Sequence, residues 1–129
     1  MSEHAIEAKI AYIQKMFSHI DTILQRHGGI SDALGDEAEA RAAIMLSLMQ
    51  IGETIHKIDS ALLEKFDLLD DAKGVYSVRN FIAHDYEGVD LDLIAEIMED
   101  NLPELVQKVE RLKASLIEEG LIVSISEPK

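Results

Sequence analysis

Within the run SVRNFIAHDYEGVD, residues 77–90, Arg79, His84 and Tyr86 stand close together and have types that do chemistry. A histidine, with an ordinary pKa of ~6.5, takes up or releases a proton near neutral pH and serves as acid or base. An arginine stays protonated and offers a planar fork of donors, which suits it to hold anionic oxygens. A tyrosine exposes a phenolic oxygen. The spacing imposes a condition. On an ideal helix Asn80 and His84 share a face, as do Arg79 and Ala83, but Arg79 and His84 are about 140° apart. One regular helix cannot aim both at the same atom. Either the last turn distorts before Gly88, or a two-fold axis brings the same patch from a second subunit to complete the site. The plain alternative is surface: an ion pair of Arg79 with Asp85, Glu87 or Asp90, and a histidine that caps a helix C-terminus.

Helical periodicity supplies the elements that position these residues. Ile6, Ile10, Ile13, Phe17, Ile20 and Leu24 recur at steps of four and three, predicting a first helix that HGG at 27–29 ends. A second helix is expected from about Asp36 to about Asp59. Ile44, Leu48, Ile51, Ile55 and Ile58 make one apolar face, and Met45, Met49 and Gly52 a second, which places this helix in the middle of a bundle. A third starts near Asp70 or Asp71, either of which can cap it, and runs through AKGVYSVRNFIAH, so the motif falls on its last turns. A fourth runs from about Asp90 with Ile94, Ile97, Leu105, Val109, Leu112 and Leu116 in register. Pro103 kinks it unless it opens a new helical segment. Residues 60–71 fit a short helix or a packed loop, and the tail LIVSISEPK is extended or disordered. The expected fold is all-α, a single-domain four- to five-helix up-and-down bundle over residues 1–120 with a tail at 121–129.

Composition narrows the function. The 129 residues fit one domain, and the absence of cysteine removes disulfides, thiolate metal sites and cysteine nucleophiles. A net charge of −13 repels phosphate, which disfavours broad binding to duplex DNA or docking on a membrane through a basic face. The N-terminus is acidic where a signal peptide is basic, and no apolar run approaches ~18 residues, so a cytoplasmic protein is expected. Any nucleic-acid role needs a local site that overcomes the global field.

The run Arg79, four residues, His84, one residue, Tyr86 resembles the R-x4-H-x-Y signature of the HepT-like branch of HEPN-domain proteins. RNFIAHDYEGVD resembles that family's R-N-x-x-A-H-x-Y-x-x-V-D run, QIGETIHKI at 50–58 its second-helix I-G-E segment, and NLPEL at 101–105 its L-P-x-L segment. The resemblance covers most of the chain in the right order. It implies an HEPN-like homodimeric bundle acting as the toxin of a type VII-like toxin–antitoxin pair, a metal-independent endoribonuclease that needs no cofactor. Its implied partners are RNA and a cognate minimal nucleotidyltransferase antitoxin, with no DNA and no membrane. By the same resemblance Arg79 and His84 are the catalytic pair, Asn80 and Glu53 support them, and Tyr86 is the tyrosine that the antitoxin adenylylates to silence the toxin. Those side chains suit the chemistry: His84 would move protons at the ribose 2′-hydroxyl and the 5′-oxygen, and Arg79 would hold the charge gathering at phosphorus. A bulky adenylate on Tyr86 would add steric mass and negative charge.

Other features have simpler explanations. Glu53 and His56 have the Glu-x-x-His spacing of di-iron bundles, but no second such pair occurs, so hydrogen bonding is expected there and no metal. Met45 and Met49 read as core filling, and His4, His19 and His27 have no recognisable spacing. The acidic setting of the motif favours one alternative, a non-catalytic helical module that docks a nucleotidyltransferase and presents Tyr86. A helical interaction domain with no nucleotide connection is the third reading.

Overall fold

A computed structural model describes residues 3–122, with no strand among them. The helices are α1 (Glu3–His27), α2 (Ile30–Gly35), α3 (Ala40–His56), α4 (Ser60–Lys65), α5 (Leu69–His84), α6 (Leu91–Glu96) and α7 (Leu102–Glu118), with a π-helical turn at Ile97–Asn101 joining the last two. The result is the expected all-α bundle: α1, α3, α5 and the α6–α7 rod carry the core, and α2 and α4 fill connections.

The ends of the elements follow from local chemistry. Gly28, at φ +76°, lets the Gly29 N–H reach back to Leu24 O (3.0 Å) and close α1. His27 joins that end to the next helix, with Nδ1 3.1 Å from Ile23 O and Nε2 3.3 Å from Asp36. Asp36 in turn accepts from the Ala40 N–H at 3.0 Å, so the residue expected to begin this helix instead serves its start from four residues upstream of Ala40. Residues 60–71 resolve into the short helix α4, capped by Asp59 on the Ala61 N–H, a turn in which Leu68 is buried, and the first residues of α5. Asp70 and Asp71 do not cap α5; they lie inside its first turn, where negative charge favours the helix dipole. Asp90 caps α6 through the Asp92 and Leu93 N–H groups. Pro103 opens α7 after the π turn, where its missing N–H costs no regular helix bond.

Helix α3 is the middle element, as its two apolar faces require: it packs on α5 along one side and α1 along the other. Ile44, Leu48, Ile51 and Ile55 are fully buried with Met45, whereas Met49 is only partly buried. One charged side chain enters this interior. The Lys108 stem is buried, and its ammonium emerges between Asp71 (2.7 Å), Asp67 (3.3 Å) and Glu104 (3.3 Å), also donating to Asp67 O. The hydrogen bond to Asp71 holds the Lys108 pKa well above its ordinary value against the opposing effect of burial, with Glu104 and Asp67 adding to it. This pins the α4–α5 turn to α7, and Asp67 adopts φ +59° in the process. At the far end Gly120 (φ +76°) closes α7 and returns the Leu121 N–H to Leu116 O, with Ile122 buried. The rest of the expected tail, 123–129, lies outside the described residues. No described helix is long and apolar enough to cross a membrane.

Candidate active site

A glycine sets the position of the candidate arginine. A Cβ built on Gly52 would stand 2.7 Å from Val75 O and 2.9 Å from Arg79 Cβ, so only glycine lets α3 and α5 cross this closely. The crossing brings Glu53 against Arg79, with Nε 2.9 Å from Oε2. Despite that distance, Oε2 is shielded from solvent and has no hydrogen-bond partner among the described residues. The contact is an ion pair at about one-third exposure, so its main effect is positional rather than stabilising. It draws the guanidinium against α3, while Nη1 donates to Asn80 Oδ1 at 3.0 Å. The remaining guanidinium donors have no hydrogen-bond partner among the described residues.

Two aromatic rings continue this surface. The Arg79 guanidinium lies 5.8 Å from the centroid of Tyr76, and Tyr76 stacks on His56 with centroids 3.7 Å apart and planes 7° from parallel. Glu53 and His56 therefore share no metal-like geometry: one faces Arg79 and the other Tyr76. Among the described residues no cluster of three or more His, Asp or Glu could hold a metal ion.

His84 is the last residue of α5 and is exposed, with no hydrogen bond or ion pair among the described residues. Helix α5 stays α-helical to this residue, so the distorted last turn does not occur. Arg79 and His84 remain about 140° apart on the helix and flank an open hollow lined also by Asn80, Phe81 and Ala83. The ion pair with Asp85, Glu87 or Asp90 does not form; the acidic partner of Arg79 is Glu53. Beyond His84 the chain turns tightly, Asp85 accepting from the Gly88 N–H at 3.1 Å; a Cβ on Gly88 would collide with the Asp85 carboxylate. This turn carries Tyr86 away from the hollow. Tyr86 lines a separate small recess with Arg41, Met45, Glu87, Val89 and Leu91, and is 38% exposed.

An apolar concavity of about 390 Å³ adjoins His84, lined by Val78, Phe81, Val89, Leu93 and Ile94 among others. At its rim Phe81 is 62% and Leu93 43% exposed, a large apolar area to leave in water beside a polar site.

A family model described as ribonuclease HepT-like matches residues 13–112, most of the chain and every candidate residue. The chain belongs to the ribonuclease HepT-like family. There is no significant match among curated proteins or among solved structures. Membership makes RNA the implied substrate. Sequence spacing did not single out Tyr76 or Phe81, and it offered His56 only as half of a metal motif. The three-residue step from Tyr76 to Arg79 on one helix face was the available signal for the first; the His56–Tyr76 stack depends on how α3 crosses α5.

Proposed function

We propose that this HepT-like protein is an endoribonuclease that cleaves single-stranded RNA without a metal ion, with Arg79 and His84 as its catalytic groups. The observation that supports this most is the pairing of a fixed but incompletely used arginine fork with a free histidine on the same open hollow. His84 takes the proton from a ribose 2′-hydroxyl as its oxygen bonds to phosphorus. The bond from phosphorus to the 5′-oxygen breaks, and a proton is delivered to that leaving oxygen. The products are a 2′,3′-cyclic phosphate and a 5′-hydroxyl. Arg79 stabilises the charge on the non-bridging oxygens, and Asn80 and Glu53 fix the direction of its fork.

The regular α5 bears on assembly. With its Arg and His splayed, one chain offers half a site, and a homodimer about a two-fold axis supplies the other half, including a second imidazole to act as acid while the first acts as base. Exposed Phe81 and Leu93 beside His84 suit that contact. In this reading the protein is the toxin of a toxin–antitoxin pair, and its partner nucleotidyltransferase silences it by adenylylating Tyr86. Tyr86 is exposed and so open to transfer, and because it lines its own recess, the attached nucleotide acts by reaching across the turn or by disturbing the dimer contact. The net charge of −13 favours a second reading, a non-catalytic module that docks this partner.

The test uses one RNA oligonucleotide and its copy with a single 2′-deoxy nucleotide at the mapped cleavage point, both in chelator. Cleavage of the first, leaving a cyclic phosphate, and none at the substituted point of the second is expected. Equal cleavage of both would overturn the mechanism; no cleavage of either would favour the docking module.

A further inference from the structure

We infer that His56 and Tyr76 form a stacking platform for an unpaired nucleobase next to the phosphate held by Arg79. The inference rests on the ribonuclease reading and adds to it two residues and a ligand class, a single-stranded RNA base seated by its π-face. The rings are already parallel, 3.7 Å apart with planes 7° from alignment, the geometry that a third ring extends. His56 is exposed and Tyr76 half-buried, so the outer member of the pair faces solvent and the inner one is braced by the fold. Because the site is pre-stacked, a base that joins it does not have to order the side chains first.

Position ties the platform to the reaction. Tyr76 and Arg79 are one turn apart on α5, ~4.5 Å along the axis, and the guanidinium already lies 5.8 Å from the Tyr76 ring. Tyr76, Asn80 and Ala83 line one stripe of the helix, with Arg79 on one side of it and His84 on the other. A strand laid along this stripe meets a stacking surface, a cation and a proton carrier in order. Stacking is also the mode that this protein needs. A chain of net charge −13 gains little from general attraction to phosphate, whereas a base–aromatic contact is indifferent to that field. Unpaired bases stacked on aromatic or histidine side chains are the usual handle on single-stranded RNA.

The test is fluorescence of 2-aminopurine placed at successive positions of a short single-stranded RNA, titrated with full-length protein carrying His84→Ala to prevent cleavage. Quenching on binding is expected at one position adjacent to the mapped cleavage point. His56→Ala and Tyr76→Ala should each abolish it and weaken binding about fivefold to 150-fold, whereas His56→Phe and Tyr76→Phe, which keep the rings, should preserve both. In the cleavage-competent protein, His56→Ala should raise KM and leave kcat nearly unchanged, a split that a merely structural role would not produce. If wild type cleaves RNA while His56→Ala retains quenching and affinity, the platform is wrong and the ribonuclease reading stands. If the His84→Ala protein binds no RNA and wild type cuts none, both are wrong.

Discussion

Replacing Gly52 with alanine sets two effects of known size against each other. Alanine in a helix interior is favoured over glycine by ~1 kcal/mol. Its methyl, however, would lie 2.7 Å from the Val75 carbonyl oxygen and 2.9 Å from Arg79 Cβ. Neither neighbour is the end of a flexible side chain. To regain ordinary 3.4 Å contact, the Val75 carbonyl must recede by 0.7 Å, parting the α3–α5 crossing. Overpacking costs ~1–3 kcal/mol, and against a backbone carbonyl that cannot swing aside the upper part of that range, ~2–3 kcal/mol, applies, so the clash outweighs the helical gain and Gly52→Ala is expected to be destabilising by about 1–2 kcal/mol. Gly74 provides the control: it lies in α5, and nothing lies within 4 Å of a Cβ built there. Gly74→Ala should therefore stabilise by ~0.5–1 kcal/mol. Thermal melts followed by far-ultraviolet circular dichroism should show Tm falling for the first and rising for the second. Because Arg79 Cβ is one of the two contacts, Gly52→Ala should also lose more RNA cleavage than its unfolded fraction explains. A Tm for Gly52→Ala at or above that of wild type would contradict the close crossing that places Arg79.

Lys108→Met should destabilise the fold by roughly 1.5–3 kcal/mol, since it removes a charge-assisted hydrogen bond to Asp71 and leaves three carboxylates facing one another. A lysine whose pKa is raised on folding contributes fully below its unfolded value of ~10.4 and loses that contribution as pH rises through the folded one. The Tm gap between wild type and Lys108→Met should thus be level from neutral pH to about 10 and narrow only above it; a gap that closes on moving from pH 7 to 9 would contradict the assignment. Phe81→Glu should leave the monomer's Tm nearly unchanged, since this ring is mostly in water, yet convert a dimer to monomer in sedimentation velocity and abolish cleavage. A wild-type monomer that cleaves RNA would exclude the two-subunit site.

The long helices were legible because each writes a face in its own period: Ile10, Ile13, Phe17 and Ile20 on α1, and Ile44, Leu48, Ile51 and Ile55 on α3, are all buried. Glycine punctuation placed the end of α1 for the local reason expected, and the fourth helix begins beside Asp90 as its apolar register indicated. The α4 segment was ambiguous because six residues are too few to show a period, and Asp70 and Asp71 misled because acidic residues suit both a cap and a first turn. In the site, the run Arg79–Tyr86 was visible, but its partners were not. The Arg79–Glu53 pair and the His56–Tyr76 stack join α3 to α5, and no spacing along one chain reports a crossing. Nor did proximity in sequence predict that the Gly88 turn would separate Tyr86 from His84. The same geometry made the arginine and histidine look incompatible on one helix, and α5 keeps them apart.

Single-turnover kinetics on single-stranded RNA in excess chelator decide whether Arg79 and His84 carry out metal-independent cleavage. Wild type, Arg79→Ala and His84→Ala should be compared side by side, each with its Tm. Wild type should cleave in chelator, Arg79→Ala should lose about 10²–10³-fold and His84→Ala about 10²–10⁴-fold, and both variants should remain folded. Cleavage at wild-type rate by either folded variant would contradict that assignment.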